Sequence, residues 1–160
     1  MLSVSRILQI VLLATLSTSC ASGPTYAELS PRIPPIPAEQ GRIFFYRPSS
    51  LGAAVTPQVE LNEEEIGASK AKGFFFVDRP PGDYRATAST EVKRSASFTL
   101  AAQQTRYIHT TISMGFFVGH LNLSMVDPEE GLAALAKMHF TGDETQLLAE
   151  TDPEEPKGSE

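Results

Sequence analysis

The 160-residue chain has one cysteine and no tryptophan. A single cysteine excludes an intramolecular disulfide, so the fold depends on an apolar core, to which nine phenylalanines can contribute. Basic residues are also few, with 13 Lys and Arg against 19 Asp and Glu. Since nucleic-acid binding needs a concentrated basic face, we expect no nucleic-acid partner.

The excess of acidic residues is confined to the C-terminus. Residues 141–160 contain seven acidic residues and one lysine, whereas residues 21–140 contain twelve acidic and eleven basic residues. The C-terminal stretch also has little apolar content with which to pack against a core. We therefore predict an acidic, disordered tail over residues 141–160, which follows a nearly neutral domain over residues 41–140.

The apolar run near the N-terminus, Ile7 to Leu16, is too short to cross a bilayer, which takes about 20 residues. It follows Arg6 and precedes a patch of small residues that ends at Cys20. This order of basic charge, apolar core and small residues is typical of a secretory signal peptide. We therefore predict that residues 1–19 are a signal peptide.

The residues from Leu16 to Cys20, LSTSC, resemble a bacterial lipobox. The resemblance implies that the Cys20 thiol receives a diacylglycerol and that the protein is anchored to a membrane as a lipoprotein. Each buried methylene contributes about 0.8 kcal/mol, so two or three acyl chains hold a protein durably. The alternative is an ordinary signal peptide, with Cys20 lost or left as a free thiol. Among Gram-negative lipoproteins, Ala21 in place of Asp favours the outer membrane, with the domain facing the periplasm.

Residues 20–40 are rich in proline, which lacks the N–H that a helix or an inner strand needs. Adjacent prolines also prefer the extended polyproline geometry. We therefore predict that this segment is a tether that holds the domain away from the bilayer. The alternative is a strand or coil packed on the domain through Ile33 and Ile36.

About seven short segments with the composition of strands follow Gly41, separated by turn signals at intervals of roughly 8–12 residues. Aromatic and β-branched residues dominate GRIFFYRP and KGFFFVDRP, and apolar and polar residues alternate in several other segments. Asn62 to Glu65 is predicted as a polar turn, and Pro80 to Asp83 as a tight turn. The pattern predicts an all-β fold, a small Greek-key-like β-sandwich.

One helix is predicted at the C-terminal end of this domain. Asp127 is a suitable N-cap, Pro128 suits the first helical position, and two glutamates follow in the first turn. The helix is predicted to continue through Lys137, with an apolar stripe formed by Leu132, Leu135, Ala136 and Met138.

Two stretches of the domain, GRIFFYRPSSLGAAVTPQVELNEEEIG and GFFFVDRPPGDYRATA, resemble a family of bacterial lipoprotein domains of unknown function, DUF2846. The resemblance extends from Gly41 to about Val126. Its Pro-Gly-x-Tyr signature is shared with PEGA-type and transthyretin-like sandwiches. The resemblance implies an exported, lipid-anchored β-sandwich and no known catalytic residues.

Arg47 is the main candidate for a ligand contact, together with Tyr46. Both lie at a predicted strand end in Tyr-Arg-Pro, beside the small-residue loop 49–55. A guanidinium fork at such a place can bind a carboxylate, a sugar or a phosphate. The alternative is a structural ion pair between Arg47 and either Asp78 or Glu60.

No metal or cofactor site is predicted. The three histidines, His109, His120 and His139, lack the close spacing of zinc ligands, and Glu63 to Glu65 lacks the alternation of a calcium loop. The segment Gly115 to Gly119 places two phenylalanines between glycines, which predicts buried core or, alternatively, an exposed loop that contacts a partner or a membrane.

The sequence as a whole favours a lipid-anchored, periplasm-facing β-sandwich that binds or assembles with an envelope partner and is not an enzyme. Its membrane partner would be reached through the lipid on Cys20. One alternative is an envelope enzyme or small-ligand binder that uses Arg47 and the 49–55 loop. Another is a structural role in which the acidic tail contacts cationic partners.

Overall fold

A computed structural model describes residues 21–89, 93–113 and 120–147. Within them, two α-helices, α1 and α2, span Tyr26–Leu29 and Pro128–Leu135, and short 3-10 turns span Ser30–Arg32 and Glu144–Leu147. None of the helices in these ranges is long and apolar enough to cross a membrane. The strands in these ranges are β1 Gly41–Arg47, β2 Gln58–Leu61, β3 Glu64–Ala68, β4 Gly73–Arg79, β5 Gly82–Ser89, β6 Lys93–Leu100, β7 Thr105–Ser113, β8 His120–Val126 and β9 His139–Phe140.

The strands form two sheets. The first has the order β8-β7-β1-β4-β9 and the second the order β3-β2-β5-β6. In the first sheet, β1 pairs antiparallel with β4 and parallel with β7. The predicted all-β sandwich is confirmed, but nine strands replace the predicted seven or so. The two additional strands are β3, whose first residues were predicted as a turn, and the two-residue β9.

The turn between β2 and β3 is built without glycine. Asn62 and Glu63 both have positive φ, 49° and 70°, as the two central residues of a tight hairpin turn with the right twist require. Asparagine tolerates this region better than most residues. Its side-chain carbonyl also accepts a hydrogen bond of 2.8 Å from the Arg85 N–H. The predicted turn at 62–65 is therefore limited to two residues, and the next residues are already strand.

The core between the two sheets contains alternate residues of the central strands. All seven residues of β1 are buried, because both faces of the first sheet are covered. Ile43 and Phe45 face the second sheet, and on the same face the Phe45 ring stacks on Phe75 of the neighbouring strand β4, with centroids 5.1 Å apart. From the second sheet, Val59 and Leu61 complete this layer.

A second, aromatic layer covers the other face of the first sheet. It packs the helices onto that face, and its buried members are Leu29, Phe44, Tyr46, Phe74, Phe76, Tyr107, Leu135, Met138 and Phe140. Phe44 stacks on Tyr107 with centroids 5.5 Å apart and an interplanar angle of 8°. The molecule is thus a two-sheet sandwich with a helical layer on one side.

The segment predicted as a tether differs from that prediction, because its described residues pack on the domain. Leu29 is fully buried in the aromatic layer. A capping box between Thr25 and Glu28 starts α1, with the Glu28 carboxylate accepting from the Thr25 N–H at 2.8 Å. Thr25 also forms a β-bridge with His139. The alternative of a packed coil therefore describes residues 21–40 better than a tether does.

The predicted C-terminal helix is present as α2, with Pro128 in its first turn. It ends at Leu135, two residues before the predicted end. Its buried face also differs from the predicted stripe, because Leu132 is 47% exposed and Gly131 is buried. A Cβ added at Gly131 would lie 2.3 Å from Tyr107 Cγ, so only glycine allows this close approach.

The first residues of the predicted tail are also part of the domain. The Thr141 N–H donates a hydrogen bond of 2.8 Å to the Phe74 carbonyl, and Leu147 packs against the aromatic layer. The packed chain therefore continues to residue 147 and does not end at 140. Residues 148–160 lie outside the described ranges.

Candidate functional site

Arg47 ends β1 and points between the sheets, where its side chain is fully buried. Its guanidinium donates to four backbone carbonyls and to no carboxylate among the described residues. One terminal nitrogen, Nη2, donates to Leu51 and Gly52 at 2.6 and 2.8 Å. The other, Nη1, donates to Val55 and Ser69 at 2.8 and 3.2 Å. Burial lowers the pKa of the Arg47 guanidinium below its ordinary value.

The structure therefore gives Arg47 a different role from either one expected. Neither acidic residue proposed as an ion-pair partner contacts it. Asp78 accepts two hydrogen bonds from Arg42, at 2.7 and 2.6 Å, and Glu60 forms an ion pair with Lys93 at 3.3 Å. The Arg47 side chain is buried, both of its terminal nitrogens donate to carbonyls, and its Nε has no hydrogen-bond partner among the described residues. Arg47 fixes the loop 49–55 to the turn after β3.

This loop has little room for other side chains. Gly52 has a φ of 66°, and a Cβ there would lie 3.0 Å from Ile112 Cγ2 and 3.5 Å from Arg47 Nη2. The Ser69 and Thr110 hydroxyls are 2.9 Å apart, and the Thr110 hydroxyl donates to the Tyr46 carbonyl at 3.1 Å. The loop thus rests on a buried polar network with defined partners.

Tyr46 faces the opposite side of β1 from Arg47, so the two predicted site residues do not share a site. The Tyr46 ring lies in the aromatic layer and stacks on His109, with centroids 5.2 Å apart and an interplanar angle of 11°. Its hydroxyl is buried without a hydrogen-bond partner in the described part of the chain. Burial raises the pKa of Tyr46, and the nearby Glu130 carboxylate raises it further.

The three histidines lie on three different strands, His109 on β7, His120 on β8 and His139 on β9. Burial lowers the pKa of His109, an effect that the Glu130 charge partly opposes, and His109 Nε2 has no partner in the described residues. His139 Nδ1 lies 2.8 Å from the Gly23 carbonyl. Across the described ranges, no three His, Cys, Asp or Glu side chains are placed to hold a metal ion.

One end of the sandwich brings together the loop 48–57, the turn 69–72 and Ala21, and we call it the Arg47 end. The Ala21 N–H donates to the Ala71 carbonyl at 3.3 Å, so the first described residue is attached to this turn. Lys70 and Lys72 flank Ala71 and are both exposed. Leu51, in the loop, is 52% exposed. The residue before Ala21, Cys20, lies outside the described residues. The segment Gly115 to Gly119, predicted as buried core or an exposed loop, also lies outside them.

A polar groove of about 460 Å³ lies on the outer face of the second sheet. It is lined by Asn62, Glu63, Arg85, Thr87 and Lys93. The neighbouring Glu60 carboxylate accepts from Thr87 at 3.0 Å and from Lys93, and these bonds lower the pKa of Glu60. Arg85 is exposed, and among the described residues its guanidinium makes one long hydrogen bond, 3.4 Å to the Ser95 hydroxyl.

The sequence alone does not predict this groove. Its side chains come from alternate positions of β5 and β6 and from the turn after β2, so no contiguous motif marks them. The available signal was the alternation of polar residues with small apolar ones in GDYRATAS and KRSASFTL. Cations, hydroxyls and an amide in one open groove can bind a polar ligand by hydrogen bonds.

Comparisons with known proteins identify the family of this chain. Residues 37–121 match the family DUF2846, described as a protein of unknown function. A protein of Haemophilus influenzae, described as uncharacterized, is 26% identical over 99 residues. That match covers 61% of this chain and 59% of the relative's own length. The family resemblance predicted from the stretches that begin GRIFFYRP and GFFFVDRP is confirmed, and the chain belongs to the DUF2846 family.

Proposed function

We propose that this protein is a lipid-anchored lipoprotein of the bacterial cell envelope, with a β-sandwich that binds an envelope partner and performs no catalysis. The observation that carries the proposal is the position of the only cysteine. Cys20 follows a basic residue, an apolar run and a patch of small residues, in the order of a lipoprotein signal. A thiolate is the nucleophile that can form a stable thioether with a lipid at this position.

The start of the described chain is consistent with such an anchor. Ala21 is held by Ala71, and Gly23 is so close to the Phe140 carbonyl that a Cβ there would lie 2.1 Å from its oxygen. The chain after Cys20 thus enters the domain directly. A processed protein that begins at Cys20 would keep all of the described residues.

The groove on the second sheet is the best-suited binding surface. It is open to solvent, and the exposed Arg85 can donate several hydrogen bonds to an acidic or hydroxylated group on a partner. The alternative in which Arg47 and the 49–55 loop act on a ligand has less support, because the Arg47 guanidinium is buried and both of its terminal nitrogens donate to carbonyls.

Metabolic labelling with a fatty acid tests the anchor. Cells that express the full-length protein and the Cys20→Ala variant are grown with labelled palmitate, and their membranes are separated on a density gradient. We expect label in the wild-type protein and none in the variant, with the labelled band in the outer-membrane fractions. An unlabelled wild-type protein that remains in the soluble fraction would refute the proposal.

Site-specific photo-crosslinking tests the binding surface. A photo-reactive amino acid replaces Ser97, an exposed residue of β6, and in a matched chain it replaces the exposed Leu132 of α2. We expect a defined adduct from position 97 that is lost when Arg85→Glu is added, and no such adduct from position 132. The same adducts from both positions would argue against a specific groove.

A further inference from the structure

We propose that the Arg47 end is the face that lies against the bilayer, with Lys70 and Lys72 contacting anionic phospholipid headgroups and Leu51 entering the interfacial layer. This inference rests on the proposed lipidation of Cys20. It adds an orientation, because a lipid anchor alone leaves a domain free to rotate at the end of its chain.

The first step in the argument is the short distance between the anchor and the domain. Consecutive Cα atoms are about 3.8 Å apart, and the residue after Cys20 is hydrogen-bonded to Ala71. The chain then continues alongside β9, where the Phe140 N–H donates to the Pro24 carbonyl at 2.8 Å. No free linker separates the lipid attachment point from the sandwich, so this end must lie near the membrane.

The second step is the charge of the turn beside Ala21. Lys70 and Lys72 are both exposed, and neither forms an ion pair with the described carboxylates. The nearby acidic residue Glu28 uses its carboxylate to accept from the Thr25 N–H and hydroxyl. A basic residue at a membrane surface is attracted to anionic lipids, and a second signal of this kind strengthens attachment by acyl chains.

The third step is the exposed side chain of Leu51. Its carbonyl and that of Ser69 both accept from the Arg47 guanidinium, at 2.6 and 3.2 Å, so Leu51 is fixed beside the turn that carries Lys70. Leu51 and Leu132 are the two large apolar residues that the described structure leaves mostly exposed. An apolar side chain on a rigid, basic surface has the chemistry of an interfacial membrane contact.

The turn after β2, at the opposite end of the sandwich, carries three exposed glutamates, of which Glu64 is paired with Arg79 at 2.9 Å. The turn after β2 exposes Glu63, and the first residues of β3 are Glu64 and Glu65, both exposed. β2 begins at the Arg47 end, where the Ser69 N–H donates to the Pro57 carbonyl, and runs to this turn. An anionic surface therefore attracts the two lysines of the Arg47 end, unpaired among the described residues, more strongly than it attracts this turn.

A tryptophan reporter can measure this orientation, because the chain contains no tryptophan. The reporter is introduced as Leu51→Trp and, in a matched control chain, as Leu132→Trp, since both leucines are exposed. Each lipidated protein is purified from membranes and reconstituted into vesicles of phosphatidylglycerol and bromine-labelled phosphatidylcholine. We expect strong quenching and a blue-shifted emission at position 51, and neither effect at position 132.

Charge reversal tests the role of the lysines. In the Leu51→Trp chain, Lys70→Glu with Lys72→Glu should lower the quenching, because each lysine lost weakens the attraction to an anionic surface on the order of fivefold. A control pair, Arg32→Glu with Arg85→Glu, changes the net charge equally outside the Arg47 end and should leave the quenching unchanged. Circular dichroism of all four chains verifies that they are folded.

The two proposals fail in different ways. A wild-type protein without acyl mass that does not float with vesicles would remove both the anchor and this inference. A lipidated protein that floats with vesicles but shows equal quenching at positions 51 and 132, or no change on lysine reversal, would overturn the orientation alone.

Discussion

Arg42 and Asp78 form a two-point ion pair across the β1–β4 ladder, with Nε–Oδ1 and Nη2–Oδ2 distances of 2.7 and 2.6 Å. The third guanidinium nitrogen of Arg42, Nη1, donates to the Pro34 carbonyl at 2.8 Å. The central carbon of the Arg42 guanidinium lies 4.6 Å from the centre of the Phe76 ring. One side chain therefore links the N-terminal segment, the first sheet and the aromatic layer.

Loss of the Asp78 charge should destabilise the protein substantially. Asp78→Asn leaves the largely buried Arg42 charge without its partner, and we expect the free energy of unfolding to fall by about 3 kcal/mol. Urea denaturation followed by circular dichroism measures the change. The control is Glu64→Gln, which breaks the exposed pair with Arg79 and should cost less than about 1 kcal/mol. Equal losses in the two variants would contradict the structural role of Arg42.

Arg47 should not tolerate replacement, because its buried guanidinium holds the loop 49–55. Arg47→Met leaves three loop carbonyls and the Ser69 carbonyl without this donor, and we expect a loss of about 3 kcal/mol or more in the free energy of unfolding. Limited proteolysis should also show faster cleavage within the loop 49–55. Arg85→Met, at an exposed position, should change stability by less than about 0.5 kcal/mol. A stable Arg47→Met protein with a protected loop would contradict the account of this end.

Gly131→Ala should be destabilising, although alanine ordinarily favours a helix over glycine by about 1 kcal/mol. The added Cβ would overlap the Tyr107 side chain, and overpacking of this kind costs about 1–3 kcal/mol. Thermal unfolding measures the sign of the change. The control is Ala133→Gly, on the exposed face of α2, which should lose about 1 kcal/mol through helix propensity alone. Stabilisation by Gly131→Ala would mean that α2 does not pack closely on β7.

His109 should make stability depend on pH. Burial lowers the pKa of His109 in the folded protein, so the unfolded state binds more protons as the pH falls through about 6.5. The contribution of neutral His109 to stability is complete above that pH and decreases below it. Urea denaturation at pH 7.5 and pH 5.5 should show a larger loss in the wild-type protein than in His109→Gln. An equal loss in both proteins would assign the pH dependence to other groups.

The fold could be predicted because its central strands are marked clearly in the sequence. The aromatic runs of β1 and β4 are bounded by glycine and proline, and their unbroken apolar character indicates burial on both faces. The packed N-terminal segment was harder to predict. A single helical turn with Thr25 and Glu28 as its capping box is a weak signal inside a proline-rich stretch.

The site was less predictable than the fold. The sequence showed that Arg47 ends a strand beside a small-residue loop, but its acceptors are backbone carbonyls, which no residue pattern marks. The proximity of Ala21 to Lys70 and Lys72 depends on tertiary contacts between segments about 50 residues apart in the chain. Only the folded structure could place them at one end.

Intact-mass spectrometry of the protein purified from membranes tests the central claim most directly, with the Cys20→Ala variant in parallel. The account predicts a mature wild-type chain that begins at Cys20 and carries the mass of a diacylglycerol and an acyl group, and a variant that carries neither. An unmodified wild-type chain, or one that begins at any other residue, would contradict the lipid anchor.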